Sequence, residues 1–363
     1  MKNIPLFLPY IGDEDIKSVT DVLKSKSLSR GPCVEEFENL FAKVTNRKFA
    51  VAVNSGTSGL DICLKALGIE KNDEIITSVY SFIASANCIL YQNAKPKLCD
   101  INKDSFLMDD KFIEKLITKN TKAILPVDIF GQAYNLHKLK KFNLPIIVDS
   151  CESFGIIPQD LALANVYGFY PNKQITTGEG GIIVTNDESF AKKLKSLRNQ
   201  GFISDPDYLN KIELGFNFRL SDINAALGIS QLKKSSEILT KRFNILSKYN
   251  AKLSNLPGIN TVLSSNNIKV SPFNYMIVLE SQNLRSNIAK ALSDSGIEYS
   301  YGFIPLNLFA HIQKSTGYKS GDFPIAEDLS KRTLCLPFFT ELSDVQIEKI
   351  VSVIKQGIVS CKR

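Results

Sequence analysis

The stretch Phe169-Tyr170-Pro171-Asn172-Lys173-Gln174-Ile175-Thr176-Thr177-Gly178-Glu179-Gly180-Gly181 sets a lysine on a glycine- and threonine-rich turn. It joins two apolar runs, NVYGFY (Asn165 to Tyr170) and GIIVT (Gly181 to Thr185). Five more such runs lie upstream: FAVAV (Phe49 to Val53), EIIT (Glu74 to Thr77), KLCD (Lys97 to Asp100), AILPV (Ala123 to Val127) and PIIVD (Pro145 to Asp149). Several are continuous rather than alternating, which suits strands buried on both faces of a mostly parallel sheet. The segments between them carry helical spacing; Leu60, Leu64 and Leu67 stand at i, i+4, i+7 after Ser55-Gly56-Thr57. Together these predict an α/β layered domain around a large, mostly parallel, seven-stranded sheet.

A helix over Ser221 to Lys234 closes that region, and a second over Ser236 to Leu253 leads into a smaller C-terminal part. There NYMIVLE (Asn274 to Glu280) and LCLP (Leu334 to Pro337) read as strands, and Leu284 to Ser295 and Ser343 to Gln356 as helices. The expected organisation is a large domain, 1–235, and a smaller α+β domain, 236–363, which agrees with about two domains for 363 residues.

Composition excludes several classes. The chain is 44% apolar and 22% charged, an ordinary globular balance. No run approaches the roughly 18 apolar residues of a membrane span. MKNIPLFLPYIGDEDIKS has one lysine before an apolar stretch broken by two prolines, then turns acidic, so it does not read as a signal peptide. The expected location is cytoplasmic, with no membrane partner. The seven cysteines (Cys33, Cys63, Cys88, Cys99, Cys151, Cys335 and Cys361) show no CxxC pair and read as reduced, largely buried thiols. With only His137 and His311 there is no zinc spacing, and no metal is expected. The net charge of +7 is spread among acids rather than gathered in a stripe, so no nucleic-acid partner is expected. Its densest cluster, Lys192, Lys193, Lys195 and Arg198, reads as a solvated helix face. The excess also suits a substrate carrying phosphates.

Three places can carry chemistry. Asn54-Ser55-Gly56-Thr57-Ser58-Gly59 follows a strand and opens a helix, where unpaired N–H groups and the dipole favour an anion and small residues let it approach. An ordinary capped turn uses the same letters. Asp149 ends PIIVD, and the carboxyl ends of parallel strands are where such sheets bind ligands. It could cap the next helix, or hold a positive partner such as a protonated pyridine nitrogen. Lys173 follows it by 24 residues. A lysine that forms a Schiff base must be neutral long enough to attack an aldehyde, so its pKa of about 10.4 has to be lowered locally.

These blocks resemble the DegT/DnrJ/EryC1/StrS sugar aminotransferases, within the aspartate-aminotransferase-like (fold type I) enzymes that use pyridoxal 5'-phosphate (PLP). The resemblance spans nearly the whole chain. It rests on Gly31-Pro32 with Phe37-Glu38, NSGTSGL (Asn54 to Leu60), NDEIITSVYSFIASAN (Asn72 to Asn87), TKAILPVDIFGQ (Thr121 to Gln132), VDSCESFG (Val148 to Gly155), FYPNKQITTGEGG, GFNFRLSDINAALGISQL (Gly215 to Leu232) and LCLPFF (Leu334 to Phe339). It implies that Lys173 carries PLP and shuttles a proton, that Asp149 pairs with the pyridine nitrogen, that Phe82 covers the ring, and that Gly56 and Thr57 cradle the phosphate. It further implies that Asn217 reaches the phosphate of a neighbouring subunit's site, which makes the protein a homodimer with shared active sites, and that Arg219 faces nucleotide phosphates. A surface arginine is the other reading of Arg219.

The implied reaction moves an amino group from glutamate to a nucleotide-linked keto sugar. The TTGEGG continuation resembles relatives that aminate C4 of a 4-keto-6-deoxyhexose, and C3 amination is the alternative. Lipopolysaccharide O-antigen assembly is a usual setting of the family. Sugar dehydratases of the same fold usually carry histidine in place of the lysine, so Lys173 argues against that activity; Lys173 and Asp149 together argue against a non-catalytic regulatory member. The first βα turn lacks GxGxxG, which argues against a Rossmann dehydrogenase. Three positions depart from the pattern. Gly168 stands where many relatives have a phosphate-binding serine, Glu152 where many have a glutamine near O3' of the cofactor, and Pro305-Leu306-Asn307 where many read PxH. A charged Glu152 beside that oxygen would be repelled, so it is either protonated or turned to another partner.

Overall fold

The computed structural model describes residues 3–29, 31–202, 213–262 and 268–361. The seven expected strands all form: β1 (Phe49–Val53), β2 (Glu74–Ser78), β3 (Lys95–Cys99), β4 (Thr121–Leu125), β5 (Ile147–Asp149), β6 (Ala164–Gly168) and β7 (Gly181–Thr185). They pair as β1-β7-β6-β5 and β3-β2-β4, and parallel bridges from Ile124 to Ile146 and from Val127 to Asp149 join β4 to β5. The result is one sheet, β1-β7-β6-β5-β4-β2-β3, in which β7 runs against its neighbours and the other pairs are parallel. β4 ends before Pro126, short of the expected Val127, because proline has no N–H to continue the ladder. The Pro126 carbonyl still accepts the Asp149 N–H at 2.9 Å, so pairing persists as a bridge.

The helices on either face follow from strand alternation. Val51, Val53, Val166 and Ile183 point into one core, beside α3 (Gly56–Ala66) and α4 (Ala84–Tyr91). Ala50, Ala52, Tyr167, Ile182 and Val184 point into the other. That second core is covered by α2 (Pro32–Val44) and α7 (Asp222–Lys233). Its centre is Phe41, whose ring meets those of Phe37, Phe154, Tyr167 and Phe169 at 5.2–5.9 Å. α1 (Asp13–Ser25) packs on α7. The buried Asp15 locks the two by accepting from the Gly12 N–H (2.9 Å), from Gln231 (3.1 Å) and from the Lys234 ammonium. α5 (Asp110–Leu116) and α6 (Glu188–Leu197) complete this part. One expectation fails on α6: Arg198 is not part of a solvated face. It turns inward onto Glu38 and the Ala52 carbonyl, because the Glu38 carboxylate is buried against β1 and needs a counter-charge.

α8 (Ser235–Leu253) leads to a second, antiparallel sheet of β8 (Ile259–Thr261), β9 (Tyr275–Leu279) and β10 (Thr333–Leu336), in the order β10-β9-β8. Around it lie α9 (Gln282–Asp294), α10 (Ala310–Thr316), α11 (Pro324–Arg332) and α12 (Asp344–Cys361). α12 runs past the expected Gln356, through Gly357. A Cβ there would lie 3.0 Å from Ile288 of α9, so the glycine lets the two helices cross closely. The N-terminus joins this part too: Ile4 bridges Ile297, and the Leu6 carbonyl accepts from Phe338.

Among the described residues no helix is long and apolar enough to cross a membrane, and no group of three His, Cys, Asp or Glu could hold a metal ion. The seven cysteines are free thiols, four of them buried.

Candidate active site

The carboxyl ends of β1, β2, β4, β5 and β6 open on one cavity of about 650 Å³, closed from the far side by residues before and within β9 and β10. This is the edge where a parallel sheet leaves its loops free to shape a site. Asp149, last residue of β5, is buried in its wall. Ser85 Oγ donates to Asp149 Oδ2 at 2.8 Å and the Cys151 N–H to Oδ1 at 3.3 Å, which fixes the carboxylate plane. Lys173 follows β6 on a turn closed by its own N–H to Tyr170 O (2.9 Å). Its Nζ lies 4.2 Å from the centre of the Phe273 ring and 3.5 Å from Glu152 Oε1.

Glu152 faces Lys173 and the Phe130 backbone. Oε2 accepts the Phe130 N–H at 2.7 Å and Oε1 faces Lys173. Burial pushes its carboxyl up from the ordinary value, while the Lys173 charge and the Phe130 N–H pull it back.

Gly56 and Thr57 begin α3 at the cavity wall. Ser55 caps the helix by accepting the Ser58 N–H at 3.0 Å, and the first N–H groups of the helix remain for an anion. The Gly168 departure has a local explanation. A Cβ on Gly168 would lie 3.3 Å from Cys151 Sγ, and one on Gly56 would lie 2.7 Å from it. The Cys151 thiol therefore fills the space that a side chain at 168 would need. Phe82, 58% exposed, stands at the mouth with its ring 6.4 Å from that of Phe303.

Two expected residues lie elsewhere. Asn217 is exposed, pairs through its backbone with Asn199, and is not on the wall of its own chain's cavity. Arg219 is also outside that wall, and its Nη1 donates to Asn199 Oδ1 at 3.0 Å. Asn307, in the PxH position, is fully buried and donates to Lys319 O (2.9 Å) and Glu327 Oε1 (2.8 Å), so it holds a loop instead of lining the cavity.

Sequence reasoning missed Ser85, Phe130, Phe273 and Phe303. Ser85 could have been found, since Ser81 and Ser85 are spaced to share one helical face, and their hydroxyls are 2.8 Å apart. Phe273 carries no local signal, because it meets Lys173 from a hundred residues away. Asn172 and Asn274 were not singled out either. Both line the cavity, and each has a buried Oδ1 without a partner among the described residues.

Such a site suits a flat ring with a cationic nitrogen and an anionic tail: a fixed carboxylate for the nitrogen, a helix start for the tail, a lysine for a carbonyl carbon, and orphaned amide oxygens for hydroxyl or N–H groups. That is the donor set PLP requires, and with this sheet order it defines a PLP-dependent enzyme of fold type I. The chain belongs to the DegT/DnrJ/EryC1/StrS aminotransferase family, whose model matches residues 9–355. It is 30% identical to the GDP-perosamine synthase of Escherichia coli O157:H7, over 98% of this chain and 99% of that protein. Among solved structures it is similar to Helicobacter pylori PseC, an aminotransferase involved in pseudaminic acid biosynthesis (TM-score 0.92, 30% identity, 99% of this chain and 100% of that one). It is also similar to the E. coli GDP-4-keto-6-deoxy-D-mannose-3-dehydratase with bound hydrated PLP (TM-score 0.89, 25% identity, 98% of this chain and 100% of that one). The enzyme is thus a PLP-dependent sugar aminotransferase in class.

Proposed function

We propose that this enzyme transfers the amino group of glutamate to C4 of a nucleotide-linked 4-keto-6-deoxyhexose. The observation that carries the reading is Lys173, whose Nζ stands in the same cavity as the buried Asp149. A lysine at this place can hold and move a proton, as transamination demands in both directions. The likeness to a GDP-perosamine synthase and to PseC favours an amino-sugar product; the dehydratase neighbour has the same fold, and Lys173 weighs against that activity here.

In this reading the chain's residues divide the work. Asp149, braced by Ser85, holds the protonated pyridine nitrogen, and Gly56 and Thr57 offer N–H groups to the phosphate. Phe82 covers the ring face. Bound PLP supplies an electron sink for the carbon that loses its proton. Lys173 would hold that proton at Nζ and release it again, as transfer of an amino group demands. Phe130, Phe273 and Phe303 line the cavity and exclude water, which strengthens each charge interaction inside it. Glutamate enters and leaves as 2-oxoglutarate before the keto sugar enters the same cavity. Asn217 reaches the neighbouring subunit's phosphate site in a homodimer, and Arg219 faces the nucleotide phosphates once the second subunit is in place. The division into domains 1–235 and 236–363, a cytoplasmic location and a role in surface-glycan assembly belong to the same proposal.

The deciding experiment adds glutamate to the PLP-loaded protein, then a panel of UDP-, GDP- and dTDP-linked 4-keto and 3-keto sugars. Loss of the visible cofactor band with release of one equivalent of 2-oxoglutarate is expected, followed by its return with one 4-keto sugar. Deoxygenation of the sugar without gain of nitrogen would establish the dehydratase instead.

A further inference from the structure

Three acidic residues line the cavity; Glu179 is exposed, and of the two buried ones, Asp149 and Glu152, only Asp149 has a task in the reading above. We propose that Glu152 is the proton partner of Lys173: its carboxylate takes a proton from Nζ when the lysine must act as nucleophile or base, and returns it when the lysine must act as acid.

The geometry singles out one oxygen for this. Glu152 Oε2 is occupied by the Phe130 N–H at 2.7 Å, which leaves Oε1 directed to Nζ at 3.5 Å. Both side chains are largely buried, 15% exposed for Lys173 and 8% for Glu152. The donor turn is built for the purpose. Phe130 and Gly131 are both left-handed, with φ of 56° and 78°. A Cβ at 131 would lie 2.0 Å from the Ser271 carbonyl oxygen and 3.0 Å from that of Glu152, so glycine permits these backbones to meet. Gln174, next to Lys173, donates to the Glu152 carbonyl at 2.7 Å and to Ser271 Oγ at 2.7 Å. Backbone on both sides of the pair is thereby fixed.

The other titratable groups facing Glu152 do not compete for the proton. Burial pushes the Cys151 thiol well up, and pushes Tyr80 and Cys335 up to about 12, so all three stay protonated near neutrality. Asp149 is engaged by Ser85 and the Cys151 N–H. Burial also raises Glu152 itself, which makes it a better base for its neighbour. The step balances within the pair. An N–H bond breaks at Nζ and an O–H bond forms at Oε1, converting ammonium and carboxylate into amine and carboxylic acid. Net charge is zero before and after, so no isolated ion is left in a dry site, where it would be costly. No co-reactant is needed.

The test reads proton handling rather than turnover. The full chain, stripped of cofactor, is mixed with PLP across a pH series, quenched with borohydride, and the adduct on Lys173 is quantified by mass. Each rate is divided by that of neutral propylamine with PLP at the same pH, which removes the titration of PLP itself. In the wild type the amine–acid form is a tautomer of the ion pair, so its fraction does not change with pH above the ionisation of Glu152, and the rate shows a flat limb there until the amine–carboxylate form overtakes it at higher pH. In E152Q the proton must go to solvent, and the normalised rate should rise about tenfold per pH unit below the lysine's own titration. Glutamine keeps the oxygen that the Phe130 N–H requires. Parallel profiles for wild type and E152Q would overturn the proposal. So would a tenfold-per-unit rise across the whole series in the wild type, with no flat limb, which needs no variant to fold. The inference rests on Lys173 as the cofactor lysine. Failure of that assignment would show as no adduct at Lys173 in either protein, whereas failure of the Glu152 role would show as an adduct there with an unaltered pH profile.

Discussion

At the scale of single residues, Lys173 and Gly168 offer the sharpest tests of the proposed site. Lys173→Ala should leave no borohydride-stable PLP on the chain at its normal site, and should lower the glutamate half-reaction by about 10²–10⁴-fold, the usual worth of a positioned acid–base group. An adduct that persists at the same site would remove the central assignment. Gly168 makes a subtler case. Serine at 168 would bring a hydroxyl toward the phosphate, but its Cβ would come within 3.3 Å of the Cys151 thiol. Gly168→Ser alone should therefore gain little. Paired with Cys151→Ala, which vacates the space, it should tighten PLP by roughly tenfold, the worth of about 1.5 kcal/mol for a hydrogen bond to a charged group. Equal PLP affinities for the single and double variants, measured by equilibrium dialysis, would show that Cys151 is not what excludes the side chain.

At the scale of elements, the junction of β4 and β5 stores a pH dependence. Asp128 lies just after β4, fully buried. Its carboxylate accepts from Tyr134 N–H (2.9 Å), Ser150 Oγ (3.0 Å) and Ser153 Oγ (2.6 Å). Burial pushes its pKa from 3.8 to about 6, the three donors pull it down, and the Asp149 charge adds to the rise. An acid whose folded pKa is raised holds its proton more tightly when folded. Its ionisation therefore opposes folding as pH rises from near 4, and the penalty is complete once pH passes about 6. Asp128→Asn keeps an acceptor for Tyr134 and a donor for the serines but cannot ionise. Wild-type stability relative to Asp128→Asn should fall by on the order of 2 kcal/mol between pH 4 and pH 7, as read from urea midpoints. A difference that does not vary with pH would mean that Asp128 ionises in the fold as it does in the unfolded chain.

The same scale explains what was legible in the sequence. All seven strands were readable because strands buried on both faces are written as unbroken apolar runs, and α7 and α8 because their helical stretches follow directly. Lys173 and Asp149 were readable because strand ends and a glycine-rich turn leave local marks. α1 and α2 were not anticipated, since their hold on the sheet comes through Asp15 and Phe41, which acquire partners only in three dimensions. For the same reason Arg198 looked like a surface charge until Glu38 was found beneath it. Phe273 and the Glu152–Lys173 contact are likewise products of tertiary placement, which no local pattern encodes.

For the whole molecule, the open question is whether one chain makes a complete site. Asn217 is exposed and absent from its own cavity wall, and apolar Phe7, Leu8, Phe82 and Ile304 remain 37–58% exposed. A second copy of the chain would account for both. If each site takes Lys173 from one subunit and Asn217 from the other, Lys173→Ala and Asn217→Ala damage different parts of the same composite site. Each homodimer would then carry two impaired sites. A mixed dimer would carry one site with both residues intact, contributed crosswise, and one lacking both. Unfolding and refolding an equal mixture makes half the dimers mixed, so activity should recover to about a quarter of the wild type, as symmetric subunit exchange requires. Refolding each variant by itself provides the baseline. If both residues served the same chain's site, every site in the mixed dimers would lack one of them, and activity would not rise above the average of the two baselines.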